Sequence, residues 1–376
     1  MRTVRLLHTG DVHLGARFSF LGEKGREHRR QLLATFSRVA ELARTNQVDF
    51  LLICGDLFDS DQPPRETLES VLRELDELGR HGIQTLLVPG THDRLSGGGV
   101  YEDEAWSRNP HLHVFREKGW SKAVFPASRT VFYGWGYHGR HDGDVLAELR
   151  LGEEAGDMRH VALLHASMLS PGLVEGDEVT FSRSSLEASG LDYLALGHWH
   201  SFKDLSTQGV GCAYCGSPEA LYVGQESGKV VLVTLSDSGR EIKPVGLGKR
   251  SFSRLEVDLQ TVSDPGRLRE IIRGRADQHS RERDYLEVLL KGICLWDLPP
   301  DPLELEEEMA NLFYGIRVRD ESVMAESPRS QQSGGLVSRE FARIAREAAE
   351  KAEGEEKRLC DEALRLGLAY LEGRRS

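Results

Sequence analysis

Short apolar runs alternate with longer amphipathic segments in the first part of the chain. The runs at 2–9, 50–54 and 83–88 each end at a glycine or a Pro-Gly pair and predict strands. Residues 29–46 and 66–80 instead repeat apolar side chains every three or four positions, which is typical of helices with one buried face. This order of strand and helix predicts a βαβαβ unit with a parallel sheet.

The rest of the sequence predicts more strands and at least one further domain. Apolar runs indicate strands at 114–115, 124–125, 130–135, 161–164, 193–197, 210–214 and 229–235. A second alternation follows, with strands at 255–259, 286–290 and 316–318 and helices at 265–275 and 301–313. We therefore divide the chain into a first domain at 1–248, a small α/β domain at 249–325, a linker at 326–337 and a C-terminal helical hairpin at 338–376.

Composition narrows the classes of function. A chain of 376 residues exceeds what one hydrophobic core usually holds, which agrees with two or three domains. Its net charge is −12, so any surface for nucleic acid must be local or completed by a partner. Five cysteines, an odd number, favour a reducing cytoplasm. We see neither a membrane-spanning run nor a signal-peptide pattern, and we expect a cytoplasmic protein without a membrane partner.

Side chains that can bind metals follow five of the predicted strands, mostly beside a glycine. They are Asp11, His13, Asp56, His92, His165, His198 and His200. Because the carboxyl ends of parallel strands meet at one edge of a sheet, we expect these side chains to converge. Histidine nitrogen mixed with carboxylate oxygen favours Mn, Fe or Zn over Mg or Ca, which prefer oxygen ligands.

Asp56 follows the central predicted strand and is the best candidate to bridge two ions, which would then lie about 3.5–4 Å apart. Two such ions lower the pKa of a bound water and offset charge on phosphate oxygens. A single histidine is more often a structural or surface residue than a ligand. The repeated placement of these groups at strand ends argues against that explanation and predicts metal-assisted phosphoester hydrolysis.

Five motifs resemble those of the calcineurin-like metallophosphoesterases. They are Gly10-Asp11-Val12-His13, Gly55-Asp56-Leu57-Phe58-Asp59, Gly90-Thr91-His92-Asp93, His165 and Gly197-His198-Trp199-His200. Leu57-Phe58 and the segment at 214–219 resemble the DNA-repair exonuclease branch, which contains SbcD, YhaO and the Mre-type nucleases. The resemblance implies an α/β sandwich of two mixed β-sheets flanked by helices, followed by a small α/β cap domain and C-terminal helices.

The resemblance also implies a role for each motif residue. Asp11, His13 and His200 would hold the first ion, and His165 and His198 the second. Asp56 would bridge the two ions. His92 would stabilise or protonate the departing oxygen, with Asp93 orienting it.

Two positions depart from patterns in this family. Thr91 stands where the family normally has an asparagine that ligates the second ion, and a threonine hydroxyl is a shorter and poorer ligand. The second ion would then bind more weakly, or a water would fill the gap, unless the change is harmless. Asp59 stands where archaeal and eukaryotic Mre-type proteins carry histidine, and it agrees with the bacterial SbcD-like pattern.

These features together predict a DNA exonuclease or endonuclease that acts in repair by a two-metal mechanism. Manganese is the expected metal, with Fe, Zn and Mg as alternatives. Arg17 and Arg94 are candidates to contact DNA phosphates. Arg17 belongs to a basic cluster with Lys24, Arg26, Arg29 and Arg30, although such clusters are more often solvated faces. The resemblance implies an SMC-like, SbcC-type ATPase as partner for the C-terminal helices, and a homodimer is a further candidate assembly.

Two other functions agree with the same motifs. One is a phosphodiesterase or phosphatase for a small molecule that uses the same metals. The other is a non-catalytic protein that binds DNA ends or a partner and has lost its second metal together with the asparagine that Thr91 replaces.

Overall fold

The chain forms two compact units, Met1–Ser251 and Phe252–Ser376. The computed structural model describes residues 2–152, 158–169, 179–296, 299–324 and 336–352, and the single positions 356, 359, 360, 363, 364, 367 and 371. The predicted linker at 326–337 lies almost entirely outside the described residues, as does most of the second helix of the predicted C-terminal hairpin. The proposed division at 248, 325 and 337 stays a prediction.

The first unit contains fourteen strands and three α-helices within its described residues. The strands are β1 Val4–Thr9, β2 Phe50–Cys54, β3 Gln84–Val88, β4 Leu112–Val114, β5 Gly119–Phe125, β6 Thr130–Gly136, β7 Arg159–His165, β8 Ser167–Met168, β9 Thr180–Phe181, β10 Tyr193–Gly197, β11 Lys203–Asp204, β12 Gly211–Tyr214, β13 Lys229–Ser236 and β14 Gly239–Gly246. The helices are α1 Lys24–Thr45, α2 Arg65–Arg80 and α3 Arg183–Ala188.

Two mixed sheets of six described strands each form a sandwich. The first has the order β14-β13-β1-β2-β3-β4, and the second has the order β11-β12-β10-β7-β6-β5. Their facing sides share one hydrophobic core, to which Leu52 and Leu86 contribute from the first sheet and Phe132 and Leu163 from the second. The expected α/β sandwich of two mixed sheets is therefore confirmed.

The predicted βαβαβ unit forms one side of the first sheet. Strands β1 to β4 are parallel, and α1 and α2 connect the first three of them. The sheet is mixed because β13 pairs antiparallel with β1, and β14 pairs antiparallel with β13. The sequence did not reveal β14, since this edge strand has mostly exposed positions and no apolar run.

Helix α1 begins at Lys24, before the predicted start at 29. Its first five residues have no apolar periodicity, and two of them, Gly25 and His28, are nevertheless buried. The apolar face continues with Leu32, Phe36 and Val39, which are buried as the periodicity predicted.

The second unit contains a small sheet and helices that follow the predicted β-α-β-α-β order. Its described elements are β15 Ser251–Asp258, α4 Pro265–Arg273, α5 Ser280–Arg283, β16 Asp284–Lys291, β17 Ile293–Cys294, α6 Pro302–Met309, β18 Gly315–Asp320, β19 Val323–Met324 and α7 Leu336–Lys351. The three longer strands form a sheet in the order β15-β16-β18 over a core of its own. No helix within the described residues of either unit has the length and apolar character needed to cross a membrane.

Candidate metal centre

The carboxyl ends of strands from both sheets meet at one place in the first unit. Asp11 and His13 follow β1, and Asp56 follows β2. The loops after these two strands are joined by hydrogen bonds from the Asp11 amide to the Gly55 carbonyl, 3.0 Å, and from the His13 amide to the Asp56 carbonyl, 2.9 Å. His165 ends β7 in the second sheet, and its register partner Gly197 ends β10 directly before His198.

Four of these residues have a left-handed backbone that side chains other than glycine rarely adopt. The φ angles are 50° at Asp11, 50° at His13, 48° at Asp56 and 100° at His198. In the described part of the chain only two other non-glycine residues have positive φ. Such conformations persist where the surrounding structure holds them, and they cluster at functional sites.

The carboxylate of Asp56 lies at the middle of the cluster. Its Oδ1 accepts a hydrogen bond from the His92 amide, 2.8 Å, and its Oδ2 accepts one from Thr91 Oγ1, 3.1 Å. The Nε2 atoms of His165 and His13 lie 3.4 Å and 3.6 Å from the same Oδ2. Burial alone would raise the pKa of Asp56, but these imidazoles outweigh it and hold the pKa well below its usual range.

The histidines direct one ring nitrogen towards the carboxylates and anchor the other. His13 Nδ1 lies 3.0 Å from Asp59 Oδ1, His165 Nδ1 donates to the Cys54 carbonyl at 3.0 Å, and His200 Nδ1 lies 3.1 Å from Gln225 Oε1. When Nδ1 carries the proton, the Nε2 lone pair is available to a cation. The buried His13 Nε2 has no hydrogen-bond partner among the described residues, and a bound cation would give it one.

Three overlapping groups have the geometry of a metal site within the described chain. They are Asp11/His13/His200, His13/Asp56/His92 and Asp11/Asp56/His165, and within each group one ligand atom per residue lies within 4.8 Å of the others. Burial would lower the pKa of His165, but Asp56 and Asp11 outweigh it and raise this pKa to about 10. A site that favours positive charge so strongly, with these donors, fits divalent cations.

The remaining predicted site residues surround these groups. The His198 amide donates to both carboxylate oxygens of Asp11, and His198 Nδ1 lies 3.3 Å from His165 Nε2. Thr91 contacts Asp56 through its hydroxyl. Arg17 and Arg94 are both exposed, each on a loop that follows a metal motif.

Asp93 makes different contacts from those expected. Its buried carboxylate accepts hydrogen bonds from the amides of Asp56, Phe58 and Gly90 and from the Tyr101 hydroxyl. The acid beside the His92 ring is instead Asp59, whose carbonyl oxygen and Oδ1 lie 3.3 Å and 3.7 Å from His92 Nδ1. Asp93 therefore positions the loop that carries Asp56. The contact with the His92 ring that was expected from Asp93 comes from Asp59 instead.

Comparison with known proteins identifies the family. The sequence pattern of the calcineurin-like phosphoesterases matches residues 4–202, which is more than half of the chain. The protein belongs to this family. The resemblance drawn from the five motifs is thereby confirmed, and the metal centre described above lies within the matched segment.

Three relatives of this phosphoesterase have names that specify a role or a family. The DNA double-strand break repair protein Mre11 of Methanopyrus kandleri is 30% identical over 58% of this chain and 49% of its own length. The metallophosphoesterase YhaO of Bacillus subtilis is 27% identical over 63% of this chain and 59% of its own. SbcD, a component of the nuclease SbcCD of Escherichia coli, is 34% identical over 25% of this chain and 22% of its own. The chain thus spans less than two thirds of the length of these relatives.

The phosphoesterase centre includes residues that the sequence analysis did not assign to it. Gln225 anchors His200, and the ring of Tyr222 stacks on the His200 ring with centroids 5.5 Å apart and planes inclined by 12°. Tyr101 supports Asp93. These residues lie outside the five motifs, and no periodicity or spacing in the sequence connects them to the ligands.

Gly90 allows the close approach of the Asp56 loop. A Cβ atom at this position would overlap Asp56 Oδ1 and lie 2.5 Å from the Asp56 backbone nitrogen. We expect Gly90→Ala to displace Asp56 and to lower kcat for phosphodiester hydrolysis by about 100-fold, with a parallel loss of bound metal. The measurements are steady-state kinetics and the metal content of the purified protein.

Gly97→Ala is the matched control for this substitution. A Cβ atom at Gly97 would meet nothing within 4 Å, so this variant should keep normal kinetics and metal content. Full activity in the Gly90→Ala variant would show that the close packing against Asp56 has no bearing on the centre.

Proposed function

We propose that this phosphoesterase is a metal-dependent DNA nuclease that hydrolyses phosphodiester bonds in DNA repair. The observation that carries the proposal is the buried Asp56 carboxylate, which belongs to two of the three overlapping groups of ligand atoms. The names of the Mre11 and SbcCD relatives support DNA as the substrate. The proposal includes both exonuclease and endonuclease action.

In this proposal two divalent ions occupy the centre. Asp11, His13 and His200 would hold one ion and His165 and His198 the other, while Asp56 would be shared and Thr91 lies beside it. The mixture of imidazole nitrogen and carboxylate oxygen favours manganese, with Fe, Zn and Mg as alternatives. When bound, such ions activate a water and offset charge on the phosphate.

His92 is placed to donate a proton to the departing oxygen. Its side chain is 43% exposed, whereas the neighbouring His13 is buried, and the two ring centroids lie 4.6 Å apart. His92 is therefore at the open side of the cluster, where a substrate can reach it. Asp59 contacts its Nδ1, which leaves Nε2 to face a leaving alkoxide. Arg17 and Arg94 are candidates to contact the flanking phosphates.

The proposal extends to partners and location. An SbcC-type, SMC-like ATPase would bind the C-terminal helices, and Val337 and Ile344 on α7 are exposed apolar residues that suit such a contact. A second copy of the chain is a further candidate partner. The cytoplasm is the proposed location.

The experiment that tests the function compares two substrates. The metal-loaded protein is incubated in manganese with linear DNA and, separately, with an aryl phosphodiester. We expect cleavage of the DNA that depends on the metal and stops with a chelator. Turnover of the aryl ester with intact DNA would instead assign a small-molecule phosphodiesterase. Hydrolysis of neither substrate, with fewer than two metals bound per chain, would indicate the non-catalytic binding protein.

A further inference from the structure

A groove with four arginines leads away from the metal centre. It consists of two adjoining cavities of about 1000 Å³ and about 680 Å³, which share Gly15, Arg17, Phe18, Ser19 and Pro64. The smaller cavity reaches Asp59 and Tyr222, the residues that contact His13 and His200 of the centre. The larger cavity continues along the start of α1. We call the two cavities together the arginine groove.

The arginine groove is a local basic surface on an acidic chain. Arg17, Arg26, Arg29 and Arg30 line its larger cavity, against two glutamates, Glu23 and Glu66, whereas the whole chain has a net charge of −12. Within the described residues none of these four guanidinium groups has an ion-pair or hydrogen-bond partner. Glu23 and Arg26, at the start of the long helix α1, line the same cavity, and the amino end of a helix carries the positive end of its dipole. These features favour a ligand with several negative charges.

Two aromatic rings in the smaller cavity narrow the class of ligand. Phe20 and Tyr222 line this cavity beside Arg17 and are 41% and 44% exposed. The bases of a duplex are already stacked on one another, so exposed aromatic rings contribute mainly to the binding of unpaired bases. A basic groove with stacking rings is the usual arrangement in proteins that bind single strands.

We propose that the arginine groove holds an unpaired DNA strand whose backbone leads into the metal centre. The phosphates lie along Arg17, Arg26, Arg29 and Arg30, and bases stack on Phe20 and Tyr222. This inference rests on the proposed nuclease function and adds that the strand presented to the metals is single. A duplex substrate must then be unpaired at its end before it is cut.

The test measures binding separately from cleavage. A labelled thymidine oligonucleotide of about 15 nucleotides and the same strand paired with its complement are titrated with the full chain in a chelating buffer, at several salt concentrations. Fluorescence anisotropy gives the dissociation constants. We expect the single strand to bind at least about tenfold more tightly than the duplex.

Substitutions separate the contribution of the phosphates from that of the bases. The double variant Arg26→Gln/Arg29→Gln should weaken single-strand binding about tenfold and lower the slope of log K against log salt by about 1.4, because each lost phosphate contact removes about 0.7. Phe20→Leu should also weaken binding about tenfold but leave the slope unchanged, since stacking releases no counterions. Arg38→Gln, an exposed arginine of α1 outside the groove, is the matched control and should change neither quantity.

Three results would overturn the inference. They are duplex binding as tight as single-strand binding, an unchanged salt slope in the double arginine variant, and an equal loss in Arg38→Gln. Thermal melting of each variant shows whether the fold is retained. Failure of the metal-loaded protein to cut any DNA would count against the proposed function, whereas the anisotropy data alone decide the role of the groove.

Discussion

Asp56→Asn should reduce phosphodiester hydrolysis at least about a thousandfold and remove most of the bound metal. Asp56 is the acid that the imidazoles of both sheets approach, and its Oδ2 lies 3.4 Å from His165 Nε2 and 3.6 Å from His13 Nε2. Asparagine has nearly the same shape but no charge, and its NH₂ group cannot bind a cation. Kinetics and the number of metal ions per chain, measured by emission spectrometry, check this expectation.

Asp142→Asn is the control for a lost negative charge. The Asp142 side chain is 85% exposed and pairs with Arg140 on the surface, so this variant should keep its activity and its metal. If Asp56→Asn still bound the same number of ions and still cut DNA, Asp56 would not be the shared ligand. The two-ion assignment would then have to be withdrawn.

The second large effect concerns His92 and depends on the leaving group. His92→Gln should lower kcat for DNA by about 100- to 10,000-fold, because an alkoxide leaves slowly unless it receives a proton. An aryl phosphodiester releases a stable phenolate and needs little help, so its kcat should fall less than about tenfold. The ratio of the two effects, measured on the same preparation, distinguishes proton donation from a general disturbance of the centre.

His81→Gln is the corresponding control. His81 is a half-exposed histidine directly after α2, near the start of β3 and therefore at the opposite edge of the sheet from the ligands. It should affect neither substrate. Equal losses on DNA and on the aryl ester in His92→Gln would contradict proton donation and would fit a ligand role, which the group His13/Asp56/His92 also allows.

The centre of the site could be predicted because local sequence patterns mark both the buried strands and the candidate ligands that directly follow them. Buried strands appear as apolar runs, and the loop after each strand is short, so ligand types at strand ends in the sequence become neighbours in space. In this way Asp11, Asp56 and His165 could be assigned to one cluster although they are far apart in the chain.

What the sequence did not predict depends on contacts between distant segments. The hydrogen bond of Asp93 with Tyr101 and the stacking of Tyr222 on His200 arise only when loops fold together. The sequence also does not predict the left-handed backbone at His13, because residues other than glycine rarely adopt this conformation. Strand β14 was not predicted, and the start of α1 was placed too late, because neither segment has a periodic pattern of apolar residues.

The division of the candidate ligands between the two sheets has a consequence for a chain still being synthesised. The first sheet supplies Asp11, His13 and Asp56 early, whereas His165, His198 and His200 arrive only with the second sheet. An emerging chain that ends before residue 200 therefore holds an incomplete set of donors, even if its first strands have already paired. The full set of donors is thus available only in the second half of translation, when the two halves of the sandwich close on each other.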